Sequence, residues 1–249
     1  MSFKNKVVIV TGASSGIGAA TAIAFAKEGA NVVLVGRNET KLAKTEAKCA
    51  ENGKQEGTLV IKADVSKSND AKRIIYETIG KFDKLDILVN NAGIVGITTV
   101  MDDNTMEEFD RIMNTNLRAV VHLTNLAASY LIKTKGNIVN ISSVAGQVVL
   151  EGASAYMTSK AGLDHYSRGA AKEFAKFGVR VNVISPGPVI TDILETLPVD
   201  LPAQAMRPTP LNRISDAEEI ANLVLYLSSD KAIGITGSIF VTDNGMLLN

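Results

Sequence analysis

Short runs of β-branched residues return along the chain, and stretches with helical spacing fill the gaps between them. The runs fall at 7–10, 32–35, 59–61, 85–89, 138–141, 179–184 and 239–242. Most are apolar at every position, as strands covered on both faces are. The stretches at 17–28, 39–52, 69–81, 105–132, 155–177 and 215–228 space their apolar residues as helices do. In the first of them Ala20, Ile23, Ala24 and Ala26 share a face, and Gly29 is positioned as a C-cap. Parallel strands joined through helices cross over right-handed. The alternation therefore predicts an α/β fold of Rossmann type: a doubly wound, seven-stranded parallel sheet with helices on both faces, in a single domain over 1–249.

Charge narrows the function classes. Twenty-six basic residues balance 26 acidic ones, which argues against nucleic acid or an anionic membrane as a partner held by bulk charge. Cys49 is the one cysteine, so no internal disulfide forms, and a reducing compartment is expected. The longest uncharged stretch, Asn137 to Leu150, is interrupted by Asn140, Ser142, Ser143, Gly146 and Gln147 and is too short and polar to span a membrane. Met1 to Lys6 is polar and runs almost directly into a glycine motif, leaving no room for a signal or transit peptide. A cytoplasmic location is expected.

All six prolines (186, 188, 198, 202, 208 and 210) lie between 186 and 211, where no strand fits. A long irregular excursion at this position reads as a substrate lid over 186–213, or as a surface meander used in subunit packing.

The glycine motif is Thr11-Gly12-Ala13-Ser14-Ser15-Gly16-Ile17-Gly18, between the first strand and the first helix. Glycines here permit a tight turn and close backbone approach to a pyrophosphate, with helix N–H groups facing the anion. Gly12, Ser14, Ser15, Gly16, Ile17 and Gly18 are the expected phosphate contacts. The same residues also match the G-x-S-x-G elbow of α/β-hydrolases. That reading lacks an earlier strand for the second oxyanion donor, and both candidate histidines, His122 and His165, fall inside predicted helices. Neither histidine has a second ligand at metal spacing, so no metal is expected.

NAD-binding units usually end the second strand with a carboxylate for the ribose diol. Here Gly36-Arg37-Asn38 follows Val35. Nothing there repels a 2′-phosphate, and Arg37 can pair with one, so NADP(H) is expected over NAD. The opposing reading makes Arg37 a solvated charge and gives the acidic role to Glu39. Asp64, with Val65 beside it after the third strand, is placed to bond the adenine amine or to cap the following turn.

Tyr156 and Lys160 are four residues apart on a predicted helix and share a face. A free tyrosine titrates near 10, and a neighbouring ammonium favours its phenolate. At about 5 Å and an effective dielectric of about 20 the attraction is about 3 kcal/mol, enough to lower the phenol by roughly two pKa units. Tyr156 would then pass a proton to a carbonyl oxygen or take one from an alcohol. Ser142 and Ser143 follow the C-terminal end of the fifth strand, where open α/β sheets bind ligands, and a hydroxyl there can hold the same oxygen.

Taken in order, the glycine motif, Asn90-Asn91-Ala92-Gly93, Asn116, Ser143, Tyr156-x-x-x-Lys160 and Pro186-Gly187 resemble a short-chain dehydrogenase/reductase of the compact single-domain type. The resemblance covers essentially the whole chain. It departs at Gly36-Arg37, where NAD-using members carry an acid, and at Asn244, where a glycine often stands. It implies Asn116, Ser143, Tyr156 and Lys160 as catalytic residues and selects Ser143 over Ser142. By the same resemblance Asn116 kinks its helix and holds a water linking Lys160 to solvent. Lys160 also contacts the ribose, and Asn91, Ala92 and Gly93 pass beside it. Pro186 and Gly187, at the end of the sixth strand, are further cofactor contacts, and the Val189 backbone and the Thr191 hydroxyl hold the carboxamide.

Val144 and Val149 after Ser143, with Leu194 and Leu197 in the lid, form an apolar wall suited to a lipophilic carbonyl or alcohol such as a steroid, isoprenoid, retinoid or aliphatic ketone. The chain is also similar to the acyl-carrier-protein ketoreductases, although no carrier-docking patch is evident. A non-catalytic NADP-binding regulator on the same fold would be expected to have lost part of the tetrad, which is intact here. By resemblance a homo-oligomer, a tetramer over a dimer, is expected, packed through 105–132 and 155–177.

Overall fold

A computed structural model describes residues 1–53, 57–191 and 209–248. Seven strands form one sheet: β1 (Val7–Thr11), β2 (Asn31–Gly36), β3 (Thr58–Lys62), β4 (Ile87–Asn90), β5 (Asn137–Ile141), β6 (Arg180–Pro186) and β7 (Ile239–Thr242). Their order is β3-β2-β1-β4-β5-β6-β7, and every neighbouring pair is parallel. The order reverses between β1 and β4. A crevice opens there at the carboxyl ends of the strands.

Seven helices among the described residues cover the sheet: α1 (Gly16–Lys27), α2 (Glu39–Asn52), α3 (Ser68–Phe82), α4 (Thr105–Met113), α5 (Ala119–Thr134), α6 (Ser154–Ala175) and α7 (Ala217–Ser228). The pleat of β1 shows how two cores arise. Val8 and Val10 join Phe25, Leu42 and Val224 in the core under α1, α2 and α7. Val7 and Ile9 point the other way and join Ile74, Leu123 and Ala171 under α3, α5 and α6. Strands buried on both faces need apolar residues at successive positions, which is why these runs do not alternate. β7 differs: as an edge strand it is only partly covered, and Val241 is exposed.

The predicted helix over 105–132 is three pieces. A π-helical turn, Asn114–Arg118, separates α4 from α5. One extra residue per turn leaves the apolar spacing on either side intact, so the interruption is invisible in the periodicity. The lid predicted over 186–213 is described only at its two ends, and its entry pairs with the chain just beyond its exit: Val189 bridges Ser215, and Ile190 N donates to Ser215 O at 3.1 Å. Leu194 and Leu197 lie outside the described residues. No described helix is long and apolar enough to cross a membrane.

Candidate active site

The carboxyl ends of β1, β2, β4, β5 and β6 open onto one cleft of ≈ 1060 Å³. Gly12, Ser14, Ser15, Gly16 and Ile17 form one end of its wall. Steric room explains the glycines. A Cβ on Gly18 would lie 2.2 Å from Gly12 O, and one on Gly12 would lie 2.7 Å from Asn91 Nδ2. Gly12 and Gly16 also hold φ of +66 and +51, where side chains are strained. No side chain caps the start of α1, and its first turn carries no acid. Its N-terminal N–H groups and positive dipole end are therefore free of a protein anion, as a phosphate site requires.

Thr11 and Asn91 tie this loop to β4. Thr11 Oγ1 accepts from Asn91 N and Ala92 N, both at 3.0 Å. The Asn91 amide donates to Thr11 O at 2.9 Å and Gly12 O at 3.3 Å. Asn91 is thus a brace for the loop, and its side chain is committed to that task.

At the end of β2 the wall continues through Gly36, Arg37, Asn38 and Lys41. Asn38 caps α2, accepting from Lys41 N at 3.0 Å. Glu39 pairs with Lys62 at 3.2 Å and is absent from the cleft lining. Asp64 and Val65 line the wall after β3. Asp64 Oδ1 accepts from Ser66 N at 3.0 Å and Ser66 Oγ at 2.7 Å, so the carboxylate does cap the turn that follows, and it does so while facing the cleft.

Farther along, Ala92, Gly93, Ser143, Tyr156 and Lys160 share the cleft with Pro186, Gly187, Val189 and Thr191. Gly187 N donates to Thr242 O at 3.0 Å, and a Cβ there would lie 2.9 Å from Asp243 Cα. Thr191 sits against the glycine loop; a Cβ on Gly16 would lie 2.7 Å from its methyl. Val144 is buried in the lining, whereas Val149 is 84% exposed at the mouth.

The two serines after β5 part company. Ser142 is buried, and its hydroxyl reaches back to Lys160 O at 3.3 Å. Ser143 begins a short 3-10 turn and accepts from Ala145 N at 3.1 Å. That bond uses the oxygen and leaves the hydroxyl proton for the cleft, where it acts on Tyr156.

Lys160 is 5% exposed. Its Nζ donates to Ile141 O at 2.9 Å and lies 5.7 Å from the centre of the Tyr156 ring. Burial pulls its pKa down to about 8, partly offset by the carboxylate of Asp164. Burial likewise raises the Tyr156 phenol, and the Ser143 hydroxyl opposes that rise. The expectation of a phenol depressed by Lys160 is therefore corrected: desolvation pulls the Lys160 amine down, and the Tyr156 phenol moves up rather than down.

Asn116 lies in the π-helical turn and is 1% exposed. Its Oδ1 accepts from Ile94 N at 2.9 Å, and its amide donates to Ile94 O at 2.8 Å and to Ser159 Oγ at 3.1 Å. Ser159 in turn donates to Tyr156 O at 2.7 Å. Asn116 Oδ1 and Lys160 Nζ both flank Gly93, at 3.5 and 3.6 Å from where its Cβ would be. The structure brings Ser143, Tyr156 and Lys160 together in the cleft lining and places Asn116, which does not line the cleft, behind Gly93 beside the Lys160 amine.

The site also has contributors that the sequence does not mark, among them Ser159, Arg111 and Met246. Ser159 joins Asn116 to the helix of Tyr156. Arg111 lines the outer wall, paired with Glu108 at 2.7 Å. Met246 lines the cleft from the segment after β7. Position beside Lys160 is the only signal that could have marked Ser159; the other two carry none.

A family model described as enoyl-(acyl carrier protein) reductase matches residues 12–247. The chain is 35% identical over 251 residues to the 3-oxoacyl-[acyl-carrier-protein] reductase FabG of Thermotoga maritima, covering 100% of both chains. It is 36% identical over 247 residues to the FabG of Staphylococcus aureus, covering 98% of each. Among solved structures, a short-chain dehydrogenase/reductase of Caenorhabditis elegans with cofactor superposes with a TM-score of 0.90 at 35% identity, over 99% of this chain and 96% of that one. Levodione reductase superposes with a TM-score of 0.92 at 31% identity, over 98% of each chain.

Proposed function

The chain belongs to the short-chain dehydrogenase/reductase family, and we propose that within it this protein reduces the ketone of a 3-oxoacyl thioester to the alcohol, using NADPH. The observation that carries the substrate is the end-to-end similarity to two 3-oxoacyl-[acyl-carrier-protein] reductases. The geometry of the cleft supports the chemistry.

The fit to a dinucleotide rests on the glycine cradle, the uncapped start of α1 and the open space beside Gly93. Gly12, Ser14, Ser15, Gly16, Ile17 and Gly18 would hold the pyrophosphate, Asp64 and Val65 the adenine, and Asn91, Ala92, Gly93 and Lys160 the ribose next to the nicotinamide. Val189 and Thr191 would hold the carboxamide, with Pro186 and Gly187 beside the cofactor. Arg37 supports NADPH over NADH, because it lines the cleft while Glu39 is turned to Lys62. When bound, the cofactor supplies the hydride that reduces the carbonyl carbon.

Tyr156 gives its phenolic proton to the carbonyl oxygen. A phenol kept protonated by burial is in the correct state to act as the acid of a reduction. Ser143 donates to the same oxygen and fixes its position. Lys160 orients the ribose and steadies the charge left on Tyr156 until a proton returns. Asn116 braces the strand-end loop at Ile94 and lies on the path by which that proton arrives.

A second reading, a small lipophilic ketone, is favoured by the apolar lining at Ile94, Ile97, Val144 and Val149 and by the likeness to levodione reductase. Homotetramer assembly through the outer faces of α5 and α6 belongs to the same proposal. NADPH oxidation followed with acetoacetyl thioesters beside a panel of cyclic and aliphatic ketones separates the readings. Turnover of the thioester is expected; turnover of the ketones alone selects the second.

A further inference from the structure

We propose that Asp164 is a positioning residue that keeps the buried amine of Lys160 charged, acting from one turn farther along α6. The inference rests on the role given to Lys160 above.

Asp164 follows Lys160 by one helical turn, so the two share a face of α6, and they are 7% and 5% exposed. What surrounds the Lys160 amine from the other elements is neutral: Ile141 O from β5, Gly93 after β4 and Asn116 from the π-helical turn. On its own helix it has the Tyr156 ring and Asp164, and Asp164 is the charge that acts on it. A buried ammonium with only neutral partners tends to lose its proton. A single nearby carboxylate offsets that tendency.

Asp164 is an odd residue to bury for packing alone. Its Oδ1 finds no hydrogen-bond partner among the described residues. Ser142 bonds the carboxylate, and the same hydroxyl lies 3.3 Å from Lys160 O, so it has one proton for two acceptors. Asp164 also lines a second cavity of ≈ 450 Å³, with Gly146, Gln147, Ala161, His165, Arg168, Ile239 and Val241. From β7 this cavity receives only apolar side chains; the charged groups acting on Asp164 are Lys160 and Arg168 on its own helix, and His165 is the further titratable group beside it. A leucine or asparagine would fill the space, whereas a carboxylate adds a negative charge one turn from the amine.

The test reads the amine directly. Lysine labelled with 13C at Cε is titrated by NMR, and the Lys160 signal is assigned by its absence in Lys160→Met. In Asp164→Asn the Lys160 midpoint falls by about one to two pH units, the scale of one charge roughly 6–12 Å away at an effective dielectric of about 20. Asp164→Glu restores it. Unmodified protein provides a second reading that needs no variant to fold: the Lys160 signal carries a smaller inflection at the pH where the Asp164 carboxyl protonates. An unchanged midpoint in folded Asp164→Asn, or no such inflection, overturns the inference. The alkaline limb of NADPH-dependent reduction moves with the midpoint, so that at pH 8.5 the variant loses several-fold more activity than at pH 6.5. If the midpoint moves but unmodified protein reduces no carbonyl, the functional reading fails and the inference stands.

Discussion

Asn116 grips Ile94 by both of its backbone groups, accepting from N at 2.9 Å and donating to O at 2.8 Å. A backbone amide pair satisfied by one side chain substitutes for a missing strand neighbour just beyond the end of β4, beside the space left at Gly93. The π-helical turn is what aims the side chain there, since an ordinary turn would rotate it along the helix.

Asn116→Ala leaves Ile94 N and O without their partner. A stability loss of about 1–3 kcal/mol is expected in chemical denaturation. Turnover falls more than stability, because the loop beside Lys160 loses its brace. Equal activity in a folded variant would remove Asn116 from the site.

Gly18→Ala places a Cβ where Gly12 O stands, 2.2 Å away. Backbone cannot swing aside as a side chain can, so the loop must shift. We expect a loss of about 1–3 kcal/mol in stability together with lost NADPH binding, read by the fluorescence of bound nucleotide. Wild-type binding would mean that the phosphates lie elsewhere.

Arg37→Ala tests the cofactor. A charge-assisted bond to a phosphate is worth about 1.5–3 kcal/mol, or roughly 10- to 100-fold. The ratio of kcat/KM for NADPH over NADH falls by that factor, with little change in the NADH value. A ratio below one in the unmodified protein would reverse the assignment.

Burial of Lys160 has a signature in stability. Its pKa is about 8 when folded, against an ordinary value of 10.5. Below pH 8 the buried ammonium is a penalty that the unfolded chain does not carry. Between about 8 and 10.5 the unfolded chain binds the additional proton, so this group's contribution rises with pH. At ~1.4 kcal/mol per pH unit the whole effect is about 3 kcal/mol. Lys160→Met lacks the window. The stability of the unmodified protein relative to the variant should climb between pH 8 and 10, measured by urea denaturation; parallel curves contradict the burial.

Much of this arrangement is legible in the residues. The doubled apolar faces of β1, β2 and β4 require burial on both sides, and the glycine turn after Thr11 requires backbone room. Residues four apart on a helix meet wherever the helix goes, which is why Tyr156 and Lys160 are found together. What depends on the third dimension is not legible. A Coulomb argument depresses the phenol because it takes the pair as half-solvated, and only the fold reveals that the Lys160 amine is buried while Tyr156 is half-buried in the cleft wall. Glu39 and Arg37 compete on paper for one role until Lys62, at the end of β3, takes the carboxylate. The break at Asn114–Arg118 leaves no trace in apolar spacing, and nothing in the spacing marks Asp164 until the fold sets Ser142 and the second cavity beside it.

The most direct test of the account is Tyr156→Phe, which keeps the ring and removes the proton. NADPH oxidation with an acetoacetyl thioester should fall by about 10²–10⁴-fold, the range of a lost general acid, while nucleotide binding stays within a few-fold of the unmodified protein. Turnover near that of the unmodified protein, with the phenol gone, would contradict the account.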